Sequence, residues 1–177
     1  MSDAKKIAII GYPATGKSTF AYWLSKQLDI PVYSIDRIRW KNATEKAPEH
    51  EFLKKFDSFL AHKSWIIEGN ALQYLDYLDR RLKEADHVFL FQSNTLVSTA
   101  KAFRRWFLIK VMKTERRLGQ GDTTLFHLCK FIYQKFPQQM RVVEEKAEKY
   151  PDKIAIIKSY SELRCVQKQL KVQGRGR

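Results

Sequence analysis

The run "GYPATGKST", Gly11 to Thr19, concentrates more reactive chemistry than any other stretch of the chain. Gly11, four intervening residues, Gly16, Lys17 and Ser18 satisfy G-x-x-x-x-G-K-[ST] in full. Every residue type in that spacing answers to an anion. The glycines let backbone amides approach phosphate oxygens with no Cβ in the way. An ammonium at Lys17 can draw charge from the β and γ phosphates, and a hydroxyl at Ser18 can ligate Mg2+. A helix starting there adds its N-terminal amides and dipole. Gly11, Pro13, Ala14, Thr15, Gly16, Lys17, Ser18 and Thr19 are therefore the expected nucleotide-holding residues. The chemistry in view is phosphoryl: passed to an acceptor, lost to water, or only sensed.

A loop of this kind works only between a strand and a helix, and the flanking sequence has that form. "KKIAIIG" reads as a buried strand ended by Gly11, and "KSTFAYWLSKQL" places Phe20, Trp23, Leu24 and Leu28 on one helical face. "IPVYSID", "WIIEG", "HVFLFQ" and "KIAIIK" read as four further strands. The first two are separated by the amphipathic helix "EHEFLKKFDSFLAH", and "ALQYLDYLDRRLKEA" follows as a mostly polar helix. A basic helix from about 94 to 113 should bury Leu96, Ala100, Phe103, Phe107 and Val111, and a glycine-bearing connection follows. Another helix should run from about 124 to 149, and "SELRCVQKQL" should close the chain. Strands alternating with helices predict an α/β domain with a parallel sheet covered on both faces. The 177 residues suit one domain spanning 1–177, with about 94–149 as a helical, lid-like region.

Ligands of such sheets sit at the carboxyl ends of the strands. The second strand is expected to end at Asp36, with Arg39 just beyond, and the third at Glu68, followed by Gly69 and Asn70. Two carboxylates at neighbouring strand ends suit phosphoryl transfer, one serving Mg2+ and one the acceptor's proton. The alternatives are a helix N-cap at Asp36 and a surface-arginine partner at Glu68. Gly69 is expected to leave space for a ligand. Arg104, Arg105, Arg116 and Arg117 flank a connection that could close over the transferred group. Trp40 and Trp65 are candidates to line the acceptor side, or else packing residues. The four histidines show no ligand spacing, so no histidine metal site is expected.

Bulk composition narrows the setting. No stretch approaches the ~20 apolar residues of a membrane span, and "MSDAKKIAII" has no leader pattern. Cys129 and Cys165 read as free thiols, so a cytoplasmic location is expected. The formal charge of +14 favours anionic partners and admits DNA among them.

On "IAIIGYPATGKSTFAYWLSKQLDIPVYSID", "WIIEGN", "RLKEADHVFLF" and "DKIAIIKS" the chain resembles P-loop kinases of the adenylate-kinase-like group. More narrowly it resembles the bacterial topology-modulation (FlaR-related) proteins. The resemblance implies a P-loop NTPase three-layer sandwich with a five-stranded parallel sheet of order 2-3-1-4-5, ATP with Mg2+, and a helical lid insertion. It assigns Lys17 and Ser18 to phosphates and metal, and Asp36 and Arg39 to the acceptor. Glu68 stands where the group usually has Asp before Gly. Lys101 and Arg105 fall where related kinases carry arginines near ATP, and Lys158 and Ser159 would border the adenine. Related monophosphate kinases follow their Asp-Gly with a Pro-Arg that grips the acceptor phosphate, whereas here the run is "EGNALQ".

The expected function is ATP-dependent phosphoryl transfer to a small-molecule acceptor, with nucleosides and nucleotides as candidates. Lys17, Asp36, Glu68 and Arg105 are the expected catalytic residues. Asp36, Arg39, Gly69 and Asn70 are the expected acceptor-binding residues, and Ser18 and Glu68 the metal ligands. The alternatives are an ATP-binding regulator that contacts DNA and a simple ATPase.

Overall fold

Four successive apolar residues, Ile7 to Ile10, offer no polar face to water, so the strand that carries them must be covered on both sides. It is: all four are at most 2% exposed. The computed structural model describes residues 5–41, 45–70, 72–93, 97, 98, 100, 103, 104, 107, 108 and 136–175. In chain order these form β1 (Lys6–Gly11), α1 (Lys17–Leu28), β2 (Val32–Ser34), α2 (Ile35–Arg39), α3 (Glu49–Leu60) and β3 (Trp65–Glu68). Next come α4 (Leu75–Glu84), β4 (His87–Phe91), α5 (Phe136–Glu148), a 3-10 turn at Pro151–Lys153, β5 (Ile154–Ile157) and α6 (Tyr160–Arg175).

The five strands pair in parallel in the order β2-β3-β1-β4-β5, as the resemblance implied. Alternation along the strands divides the core. Ala8, Ile10, Ile67 and Leu90 pack with Phe52, Phe56 and Leu60 of α3, Leu78 and Leu82 of α4, and Met140, Val143 and Ala147 of α5. Ile7, Ile9, Ile66 and Phe89 pack on the other face with Phe20, Ala21 and Leu24 of α1, and Leu163 and Val166 of α6 lie against them. The result is three layers, helix on sheet on helix.

Three expectations change. β2 stops at Ser34, and Asp36 stands exposed in the first turn of α2. Its N-cap alternative goes too, because the cap position is Ser34. β2 pairs with β3 over three residues, and the chain turns helical directly after Ser34. Phe103 and Phe107, expected in the core, are 45% and 43% exposed, and Ala100 is exposed, while Ser98 is buried. Helical spacing tells which residues share a face but not which way that face turns. Finally, α5 falls within the stretch read as lid-like, yet Met140, Val143 and Ala147 are core residues. Leu96, Lys101, Arg105, Val111, Lys113, Arg116, Arg117 and Cys129 lie outside the described residues.

Gly11 sits where β1 meets the loop, at φ 120, and a Cβ there would lie 2.1 Å from the Phe91 carbonyl oxygen of β4. Gly16 has φ 94, but a Cβ would meet nothing within 4 Å. Gly11→Ala is expected to cost about 3 kcal/mol or more of folding stability, through backbone collision in the central strand pair. Gly16→Ala should cost only about 1–2 kcal/mol of left-handed strain. Urea denaturation of the two variants measures the difference, and equal losses would contradict it.

Candidate functional site

The loop after β1 is held open by its own backbone and by one amide side chain. Asn70, just past β3, accepts the Gly11 N–H at Oδ1 (2.8 Å) and donates from Nδ2 to the Gly11 carbonyl (3.0 Å). Tyr12 N–H donates to the Phe91 carbonyl at 2.8 Å, fixing the loop to β4 as well. Ala14 (φ 57) and Gly16 (φ 94) are left-handed, the alternation that turns successive amides toward one concavity. Thr15 Oγ1 and Lys17 Nζ both donate to the Tyr12 carbonyl, so the Lys17 ammonium stands over the loop. The first turn of α1 closes when Phe20 N–H bonds the Gly16 carbonyl at 2.9 Å.

Beside the loop is an oxygen cluster. Glu68 ends β3 opposite Ile9 on one side and Ser34 on the other, so Ser34 and Glu68 are in-register cross-strand neighbours. The Ser34 hydroxyl donates to Glu68 Oε1 at 2.7 Å. Strand alternation turns Glu68 to the same face as Ile66, the α1 side, where the Ser18 hydroxyl donates to the same Oε1 at 3.3 Å. Glu68 is 5% exposed, and its partners are serines, not the surface arginine of the alternative reading.

A buried cation acts on the same carboxylate. Arg81, in the helix read as mostly polar, is fully buried, and Nε, Nη1 and Nη2 have no hydrogen-bond partner. Burial pushes its guanidinium down to about 9, against the pull of the Glu68 and Asp36 carboxylates. A helical side chain leans back toward its own N-terminus, here toward the carboxyl edge of the sheet, where Glu68 ends β3 and Asp36 stands in the first turn of α2. The signal was present: Arg81 lies three residues after Leu78 and four before Ala85, on the buried face.

The other expected site residues divide. Asp36 begins α2 exposed and Arg39 ends it half-buried, with Arg39 on the wall of a cavity of about 340 Å3. Beside Gly69, at φ 112, stands Ile35, whose Cβ would lie 3.1 Å from an added Cβ. The Asn70 amide, expected at the acceptor, is engaged by Gly11. Trp65 is fully buried at the amino end of β3, away from the site, and Trp40 pairs with Lys46 in a short bridge. The Ser159 hydroxyl, expected near adenine, accepts the Glu162 N–H at 3.2 Å, while the Glu162 carboxylate reaches back to Lys158 N–H at 2.6 Å. That reciprocal pair caps α6. No group of three or more His, Cys, Asp or Glu able to hold a metal occurs among the described residues, and no helix there is long and apolar enough to cross a membrane.

Arg81→Met should leave the protein equally stable or up to about 4 kcal/mol more stable, since the guanidinium gives up its hydration without a direct bond in return. Urea denaturation near neutral pH tests this. A loss above about 3 kcal/mol would mean that the charge is held by bonds that stabilise the fold.

No protein-family model matches the chain, and no curated protein matches its sequence. Solved structures do match its fold. A shikimate kinase from Acinetobacter baumannii, in complex with shikimate, superposes with a TM-score of 0.59 at 14% identity, covering 99% of this chain and 96% of its own. A shikimate kinase from Bacteroides thetaiotaomicron gives 0.51 at 14% identity, covering 94% and 98%. The five-stranded parallel sheet with helices on both faces is thus a fold shared with these two shikimate kinases.

Proposed function

We propose that the chain is an ATP-dependent kinase that passes the γ-phosphoryl group to a small-molecule acceptor. The observation that carries this reading is the shared Glu68 oxygen. A hydroxyl at the start of α1 and a carboxylate at the end of β3 converge within 3.3 Å, beside a loop whose Gly16 has open space where a side chain would begin. Hard oxygen donors beside a phosphate cradle suit Mg2+ on a polyphosphate. Ser18 and Glu68 would hold the metal, while Lys17 and the amides from Gly11 to Thr19 would hold the phosphates. ATP, when bound, supplies the transferable group and Mg2+ its charge neutralisation.

The chain's own groups then divide the remaining work. Glu68 is occupied by two serine hydroxyls, whereas Asp36 is exposed one strand away and suits the acceptor's proton. The acceptor oxygen bonds to the γ-phosphorus as the bond to the bridging oxygen breaks, and ADP leaves. Arg39 would face the acceptor. Lys101 and Arg105 would neutralise charge near ATP, and Ser159 would border the adenine, assignments that rest on the resemblance alone. The two shikimate kinases share the fold and act as support for a small-molecule kinase, though not for any one acceptor.

Two measurements test the reading. Lys17→Ala is expected to weaken Mg·ATP binding in calorimetry by about 10–100-fold. Glu68→Gln should lower turnover by about 10²-fold or more and weaken Mg2+-dependent, rather than Mg2+-free, ATP binding. The acceptor is sought with a panel of cyclic and acyclic hydroxy acids, sugars and nucleosides, followed by 31P NMR. Phosphate release without an acceptor product would point to an ATPase instead. ATP binding with no turnover of any kind would overturn the kinase reading.

A further inference from the structure

The walls of the cavity near Arg39 say what kind of acceptor it takes. It lies between the end of α2, the start of α3 and the approach to α4, at the carboxyl edge of β2 and β3. The backbone returns on itself to build one wall. Ala47 N–H donates to the Arg39 carbonyl, and Lys41 N–H to the Glu45 carbonyl, both at 2.9 Å. Trp40 and Lys46 are therefore bridged opposite each other. This hairpin places two cations, Arg39 and Lys46, on the same cavity, and Lys41 ties it to α3 through Glu51 at 3.1 Å. Arg39 Nε is buried and has no hydrogen-bond partner.

Tyr74 also lines the cavity and rests on Phe52, which is almost fully buried. Phe52 and Tyr74 stack with centroids 4.6 Å apart and planes 19° from parallel. Gln73 adds an amide and Glu49 a carboxylate. The formal charge of the lining is one net positive: two cations against Glu49. A second negative charge on the occupant would thus meet Glu49 unopposed. At about 340 Å3 the cavity is at the small end for organic ligands, enough for one ring and its substituents. A nucleic-acid strand would not enter it.

We propose that this cavity is the acceptor site's specificity pocket and takes a small ring-bearing monoanion, whose acidic head pairs with Arg39 and Lys46 while its ring lies along Tyr74. This rests on the kinase reading for its role in transfer, though not for its binding chemistry. Arg39 and Lys46 thereby supply the positive charge that "EGNALQ" does not. Asp36, three residues before Arg39 in α2, would meet the hydroxyl end of the same molecule.

The test is binding of simple probes to the full chain without nucleotide, read by amide shifts in 15N NMR. Benzoate is expected to perturb Gln73 and Tyr74, and neutral benzamide to bind at least ~10-fold more weakly. Arg39→Met should abolish that preference and Lys46→Met reduce it, with circular dichroism confirming that both fold. Phenyl phosphate decides the head group. It carries a second negative charge and is expected to bind more weakly than benzoate, and tighter binding would overturn the monoanion assignment. Glu49→Gln should favour phenyl phosphate more than benzoate. Equal binding of benzoate and benzamide, or shifts confined to Gly11–Thr19, or no binding of either, would overturn the pocket. Mg·ATP added to the same sample reports separately on the kinase reading: a chain that binds ATP but not the anions keeps the first and loses the second.

Discussion

The close approach of β1 and β4 at Gly11 is the constraint on which the site depends. The two backbones are near enough there that no side chain fits between them, and the strand is held from both edges at that residue. Phe91 takes the next N–H, and Asn70 grips both polar groups of Gly11 with one amide. A loop that leaves the centre of a buried sheet from so tightly fixed an origin has little freedom in where its amides point. Preorganised dipoles of this kind need no rearrangement when an anion arrives, which is where their value for phosphoryl chemistry lies.

A second layer of order comes from register. Ser34 and Glu68 meet because β2 and β3 pair in step, and Glu68 meets Ser18 because strand alternation turns it toward α1. Beneath them Arg81 contributes a positive charge that makes no direct bond. Such a group is expensive to bury, and the carboxylates at the strand ends are what it acts upon. The site thus combines acidic groups with a buried basic one near them, and cations return on the stretch that bears Arg39 and Lys46.

How much of this the sequence discloses depends on whether the signal is local. The phosphate loop is legible because glycine, lysine and serine at fixed offsets have few other uses, and the strands because β-branched runs have little choice but burial. Glu68 was readable as the last residue of such a run. The sequence puts Asp36 one element too early, since a strand of three residues gives little period to measure. Ser34 as a partner of Glu68 could not be read at all, because it needs the register between strands. Arg81 was hidden by its neighbours: Asp79, Arg80 and Lys83 make the helix look polar, and one buried charge on its inner stripe does not outweigh them. Phe103 and Phe107 show the converse error, with helical spacing taken for burial.

The uneven pairing of the sheet has a mechanical consequence. β1 and β4 are joined in register over five residues, from Ile7 opposite His87 to Gly11 opposite Phe91, while β2 holds β3 over three. The loop after β1 therefore springs from the longest strand pairing among the described residues, and α2 hangs from the shortest. Backbone amides of β2 and α2 should exchange with solvent through local opening that leaves β1 and β4 protected. Compliance on that side would let the wall bearing Arg39 settle on the proposed acceptor while the loop after β1 keeps its shape.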